Sequence, residues 1–260
     1  MTTVDIDPST DPRDPRLPGS TDTIVVFSDL NCSFAHLAVH RLHETRKRLG
    51  LEGRIWFDHR GFPLELFNDN VNERPGVDSE VSVVGALDPE AGWRLWQGPD
   101  WEYPVTMLPP LEAVQAAKEQ GWHASEQLDR ALRRGHWAQG RCISMRHEIL
   151  AIARETEAVD VAVLTEAFDS GRGRRAVMDQ FEAAREGRVS CSPHLFLYDG
   201  TNLANPGVSA RWINGRFGVG FPVIDEDDPT VYEDLLKRAA GVARWPVSRG
   251  PADARSTGDA

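Results

Sequence analysis

The spacing of apolar and polar residues changes character several times along the chain. Ile24, Val25, Val26 and Phe27 form a short, unbroken β-branched and aromatic run, the pattern of a buried central strand. Ser28 to Asn31 end it, and Asp29 and Asn31 are both good helix N-cap residues. Beyond them Phe34, Ala35, Ala38, Val39 and Leu42 recur at helical spacing. Arg46, Lys47 and Arg48 crowd the far end, where the helix dipole favours cations, and Gly50 supplies a stop. Residues 54–59 predict a second strand, with Ile55 and Phe57 alternating against Trp56 and Asp58. Strand, helix and strand in this order imply two parallel strands of an α/β layer.

Residues 61–110 carry seven prolines between them, and few long helices fit between so many breaks. Trp93, Trp96, Trp101 and Tyr103 cluster there, either as an aromatic wall over a site or as packing for a long loop. From Leu111 to Glu186 the spacing turns helical in five successive segments, the second marked by Leu128 and Leu132 and the fifth by Val177 and Phe181. Strand character returns with Leu195, Phe196 and Leu197 ahead of a turn at Asp199–Gly200. A further strand is expected within Val208–Phe217, then an acidic loop over Asp225–Pro229 and an amphipathic helix over Thr230–Ala240. Residues 1–20 and 244–260, polar and rich in small residues, are expected to be disordered tails.

A chain of 260 residues with 40% hydrophobic and 27% charged content suits a globular protein with a real core. The net charge of −11 argues against general affinity for nucleic acid or anionic membranes. No apolar run approaches the length of a membrane span, and the acidic, proline-rich N-terminus lacks the basic and apolar regions of a secretory signal. Three scattered cysteines, Cys32, Cys142 and Cys191, are too few for a disulfide framework, so a cytoplasmic location is the expectation. Nothing in the sequence reports the oligomeric state.

Cys32 falls at the joint between the first strand and the first helix. Unpaired N–H groups and the positive end of a helix dipole stabilise a thiolate, the nucleophilic form of cysteine, so this position predicts an acidic, reactive thiol. A small buried cysteine is the other reading of the same stretch.

The motifs at the two ends of the helical stretch carry a family resemblance, spanning roughly residues 22–242. Asp29 to Ala38 (DLNCSFAHLA) resembles the active-site stretch of the DsbA-like branch of the thioredoxin superfamily, with Cys32 on the nucleophilic position. Val189 to Leu197 (VSCSPHLFL) resembles that family's cis-proline loop, with Pro193 on the proline, and Phe62 to Glu65 (FPLE) is a weaker third match. The resemblance implies a thioredoxin-like α/β fold whose central mixed sheet is interrupted by an α-helical insertion domain. Residues 21–64 and 187–243 would form the thioredoxin-like part and residues 65–186 the insertion, placed as a cap over the thiol. Ala35 stands where the family's second cysteine would be. The chain is also similar to kappa-class glutathione transferases and hydroxychromene-carboxylate isomerases, which place a serine at the nucleophilic position.

The function implied is thiol–disulfide oxidoreduction by one nucleophilic cysteine, through a mixed disulfide on Cys32 that a second thiol resolves. The alternatives are a glutathione- or mycothiol-dependent isomerase or transferase and a non-catalytic thioredoxin-like binding module. No tightly bound cofactor is expected, although glutathione or mycothiol could serve as co-substrate. The partner is a small or peptide thiol or disulfide. Ser192, Pro193, Asn31 and Phe34 are the expected substrate-binding residues, with the Ser192–Pro193 bond cis. Cys191 is either a resolving thiol or structural, and strand alternation favours the latter. Cys142 reads as a helix-start or core residue. His36, four residues after Cys32, shares its helical face and is a candidate accessory group. Cys32 and His36 with Cys191 and His194 offer zinc-type ligands, but the thiol site accounts for the same residues and no metal is expected.

Overall fold

The structure is a computed structural model that describes residues 5–6, 20–70, 72–187, 189–214 and 220–241. Its centre is strand β2 (Thr23–Ser28), buried along its whole length. It runs parallel to β3 (Trp56–Gly61) on one side and antiparallel to β4 (His194–Phe196) on the other. β5 (Thr201–Ala204) and the two-residue β1 (Asp5–Ile6) complete a mixed sheet of order β1-β5-β4-β2-β3. The parallel pair is joined by helix α1 (Ser33–Arg48), as a strand–helix–strand crossover requires.

Strand alternation sends the two sides of β2 into two cores. Ile24 and Val26 pack with Val39 and Leu42 of α1 and with Tyr232 and Leu235 of the last helix, α9 (Val231–Ala239). Val25 and Phe27 face Phe62, Phe196 and Ala184. Between the halves of the sheet lie α2 (Leu64–Phe67), α3 (Arg74–Val84), α4 (Leu108–Ala117), α5 (Trp122–Trp137), α6 (Arg146–Arg154), α7 (Val161–Asp169) and α8 (Arg172–Arg185). Helices α4 to α8 share a third core, and Leu30, from the turn after β2, is buried in it. Helix α8 lies so close to α4 that a Cβ on Gly173 would sit 2.2 Å from the Glu112 carbonyl oxygen. A two-stranded sheet of β6 (Val208–Ile213) and β7 (Phe221–Asp227) lies apart from the main sheet, with Val208 and Ile224 packed with Leu37 and Val84.

Several expectations are corrected. The second strand begins at Trp56, because residues 52–54 form a turn. Helix α3 forms inside the proline-rich stretch, since Pro75 stands in its first turn, where its missing N–H costs nothing. Asp225 to Asp227 are the end of β7 and not a loop, and Arg41 binds Asp227 while Arg211 binds Asp225. Asp5–Ile6, placed by the sequence in a disordered tail, pair with Thr201 and Asn202 of β5. The remainder of residues 1–19, residues 215–219 at the end of the expected strand, and residues 242–260 lie outside the described residues.

Candidate functional site

Cys32 is the N-cap of α1: its backbone is extended and its carbonyl accepts the His36 N–H. Neither expected cap residue plays that part. Asp29 turns back, its Oδ1 accepting the Asn31 N–H at 2.7 Å and its Oδ2 the Leu64 N–H at 2.9 Å. That carboxyl therefore staples the turn after β2 to the start of α2, which gives the Phe62–Glu65 stretch its place. Glu65 in turn accepts from the Thr106 hydroxyl at 2.6 Å and the Met107 N–H at 2.8 Å.

The loop before β4 closes over the thiol. The Ser192–Pro193 peptide bond is cis, and the Cys32 thiol donates to the Ser192 carbonyl at 3.1 Å. The Ser192 hydroxyl accepts the Asp29 N–H at 2.9 Å. Residues 160 positions apart are thus joined at the sulfur.

The thiol is not acidic, contrary to the expectation from its place at a helix start. Burial pushes it up to about 12, and the Glu80 and Asp29 carboxyls add to the effect. The Ser192 side chain and the Ala35 N–H act in the opposite sense and are outweighed. Burial likewise raises Glu80 to about 7 and Asp29 to about 6. Glu80, on α3, accepts from the Ser33 hydroxyl at 2.8 Å.

Helix α5 holds the turn from the other side. Arg133 donates to the Asp29 carbonyl at 3.0 Å and the Ser28 hydroxyl at 2.7 Å, and is itself clamped by Asp129 at 2.7 Å. His136 donates through Nε2 to Asn31 Oδ1 at 2.9 Å, and Trp137 donates to the Leu30 carbonyl at 2.9 Å. Asn31 is therefore buried scaffolding, with its amide oxygen engaged by the protein itself. A further α5 carboxylate, Glu126, binds Arg46 of α1 at 2.6 Å and the Phe57 N–H of β3 at 2.7 Å.

The other sequence candidates separate. His36 sends Nε2 to the carbonyls of Ala91 and Gly92, at 3.1 and 3.2 Å, with its ring against Trp93 and Trp137. Burial lowers it to about 3, so it is a neutral wall and not a cation beside the sulfur. Cys191 faces the Pro193 carbonyl at 3.3 Å, and all three cysteines are free. His194 is bonded to the Ser190 N–H and to Asn202. The Cys–His quartet is thus dispersed, and among the described residues no three His, Cys, Asp or Glu side chains are grouped to hold a metal. Phe34 packs with Leu37, Val84 and Trp93. Of the aromatic cluster, Trp93 walls His36 and Trp96 packs on Tyr103, while Trp101 stands 83% exposed. A cavity of about 870 Å³ opens behind this wall, lined by His36, Gln127, Arg130 and Arg134 among others; Cys32 does not line it.

Sequence reasoning missed Glu80, Arg133, His136 and Trp137. The last three stand at i, i+3 and i+4 on one helix face, a spacing visible in the sequence, but only the fold shows which loop that face meets.

This architecture and site define the DsbA-like thioredoxin fold. A probable DsbA oxidoreductase from Streptomyces coelicolor is similar in structure, with TM-score 0.60 and 15% identity over 88% of this chain and 94% of that one. The cytosolic disulfide reductase DsbM from Pseudomonas aeruginosa is similar with TM-score 0.55 and 17% identity over 84% and 95%. A 2-hydroxychromene-2-carboxylate isomerase is similar with TM-score 0.52 and 15% identity over 69% and 87%. No protein-family model and no curated protein matches the chain. No helix among the described residues is long and apolar enough to cross a membrane.

Proposed function

We propose that the chain is a cytoplasmic thiol–disulfide oxidoreductase that works through Cys32 alone. The observation that carries this reading is the Cys32 thiol, bonded to the Ser192 carbonyl beside the cis proline, with a buried alanine at position 35. The thiol attacks one sulfur of a disulfide, the second sulfur leaves with the electron pair and takes up a proton, and Cys32 is left as a mixed disulfide. Ala35 cannot resolve that species, so a second thiol from solution does, with glutathione or mycothiol as the co-substrate class. Cys191 stays outside the cycle, since its sulfur is turned to the Pro193 carbonyl. Ser192 and Pro193 border the sulfur and would receive the substrate, a small or peptide disulfide, with Phe34 on the first turn of α1 as a further contact in this reading; the cycle needs no metal, nucleic acid or membrane.

Intact-protein mass after incubation with oxidised glutathione tests the proposal. One glutathione adduct is expected on Cys32, absent in Cys32→Ser, retained in Cys191→Ser and released by added thiol. An adduct that persists in Cys191→Ser but clears in the wild type would make Cys191 the resolving cysteine. No adduct on folded Cys32, with turnover of a small organic substrate in the presence of reduced glutathione, would instead support an isomerase or transferase. Neither adduct nor turnover would leave a binding module.

A further inference from the structure

Around the sulfur, the group that most needs a chemical explanation is Glu80. It is a carboxyl only 7% exposed, and among the described residues its one hydrogen bond comes from the Ser33 hydroxyl, on the residue next to Cys32. Among the described residues no cation is bonded to it. On its own helix Arg74 is taken by Asp78 and Asp100. On β7, packed against α3, Asp227 is taken by Arg41 and Asp225 by Arg211, and Glu226 is engaged as well. From α1 it meets Ser33 and Cys32, and the nearby loop contributes Tyr103, whose hydroxyl feels the Glu80 charge. A buried carboxyl without a cation costs several kcal/mol when ionised and is seldom kept for stability.

The Cys32 thiol, near enough for the Glu80 charge to raise it, has the complementary problem. It is neutral and gives its proton to a carbonyl that cannot accept it outright. A neutral thiol is a poor nucleophile unless its proton is removed as it attacks.

We propose that Glu80 is the proton acceptor for Cys32 during attack and the proton donor to the departing sulfur. In the reaction of Cys32–SH with R–S–S–R′, the Cys32 sulfur bonds to one sulfur of the disulfide while its proton passes to the Glu80 carboxylate. The S–S bond breaks, its electron pair goes to the R′ sulfur, and the Glu80 proton follows, giving Cys32–S–S–R and R′–SH. The disulfide is the oxidant and Glu80 ends as it began. The assignment rests on the oxidoreductase reading for its substrate, but not for its test. Burial sets Glu80 near 7, so it is divided between carboxylate and acid at neutral pH, the condition in which one group can serve as both base and acid.

The experiment is the rate of Cys32 modification between pH 5 and pH 10, read by intact mass in Cys142→Ser/Cys191→Ser protein with two probes. One is 2,2′-dipyridyl disulfide and the other iodoacetamide, which alkylates without disulfide chemistry. With Glu80 present, both rates rise about tenfold per pH unit up to about pH 7 and then level off. With Glu80→Gln, which keeps an acceptor for Ser33, the level region disappears. The rate at pH 7 falls at least about tenfold and climbs steadily into the alkaline range, where the thiol itself ionises. Glu80→Asp keeps the break near neutrality with a lower plateau. A wild-type profile without a break near pH 7, or a Glu80→Gln profile that keeps it, overturns the assignment. If the break appears with iodoacetamide but dipyridyl disulfide leaves no adduct, the role of Glu80 as proton acceptor stands, while its donor role and the oxidoreductase reading fall.

Discussion

Arg133 is the buried cation on which the turn before Cys32 depends, and replacing it with methionine isolates its contribution. Methionine fills much of the volume of the stem but removes every donor. Asp129, 1% exposed, is then left as a buried carboxylate with the His59 ring at 3.6 Å and no side-chain cation bonded to it among the described residues. Removing one member of a buried ion pair costs about 3–5 kcal/mol, mostly from the stranded charge. The Asp29 carbonyl also loses its donor, but within the same network, so its share is not added in full. We expect a loss of about 4 kcal/mol in urea unfolding at pH 7, and for a chain of this size a Tm lower by about 10 °C.

The pH dependence has a definite sign. In the wild type burial pushes the Asp129 carboxyl up, but Arg133 and His59 more than offset it and hold the group below the usual carboxylate range. Its stabilising contribution is therefore complete above the unfolded value of about 3.9 and is lost as pH falls through the lower folded value. In Arg133→Met burial has far less to oppose it, so the penalty shrinks as acid neutralises Asp129. Asp129→Asn in the Arg133→Met background should recover about half of the loss. A loss below about 1 kcal/mol, or a double variant no more stable than Arg133→Met, would refute this account of the network.

Other outcomes follow from single groups. Burial raises Glu80 from 4.5 to about 7, so the stability of its neutral form is present below about pH 4.5 and lost as pH rises through 7. Glu80→Gln should accordingly be the more stable protein by about 3 kcal/mol at pH 8.5, with the gain fading toward pH 4.5; equal stability at both ends would contradict it. Burial lowers His136 from 6.5 to about 4, so its contribution is present above 6.5 and lost as pH falls toward 4. Between pH 7 and pH 5 the wild type should lose about 2 kcal/mol relative to His136→Gln, measured by urea titration at each pH. Gly173→Ala should separate α8 from α4 and cost about 2–4 kcal/mol, because the clashing atom is backbone; a loss under 1 kcal/mol would show that the helices slide apart freely. Tyr232→Phe should cost about 1 kcal/mol through the hydrogen bond to the Pro206 carbonyl, visible in the same unfolding assay.

Much of the fold was legible because its signals are local. The β-branched run of β2, the cationic end of α1 and the helical spacing of α4 to α8 each follow from neighbouring residues. Helix α3 was missed because prolines were read only as breaks, whereas Pro75 occupies the one part of a helix that accepts it. β7 was missed because Asp225, Glu226 and Asp227 look like a solvated loop until Arg41 and Arg211, distant in sequence, are seen beside two of them. At the site, Cys32, Ser192 and Pro193 were visible through their motifs. The state of the thiol was not. Helix position alone favours a thiolate, and only the structure reveals the depth of burial and the carboxyl of Glu80, 48 residues along the chain.

The α5 clamp also has a consequence for synthesis. The turn from Ser28 to Asn31 takes hydrogen bonds from Arg133, His136 and Trp137, and β3 is bonded to Glu126. None of these partners exists when residues 23–61 leave the ribosome. At about 5–20 residues per second, roughly four to fifteen seconds pass between residue 61 and the end of α5. For that interval Cys32 is an ordinary solvated thiol, open to the same disulfides that the finished site would select. A nascent chain stalled before residue 122 should thus be modified at Cys32 as readily as a free peptide, and one extended past β5 with room to fold should instead react with the pH profile of the finished site.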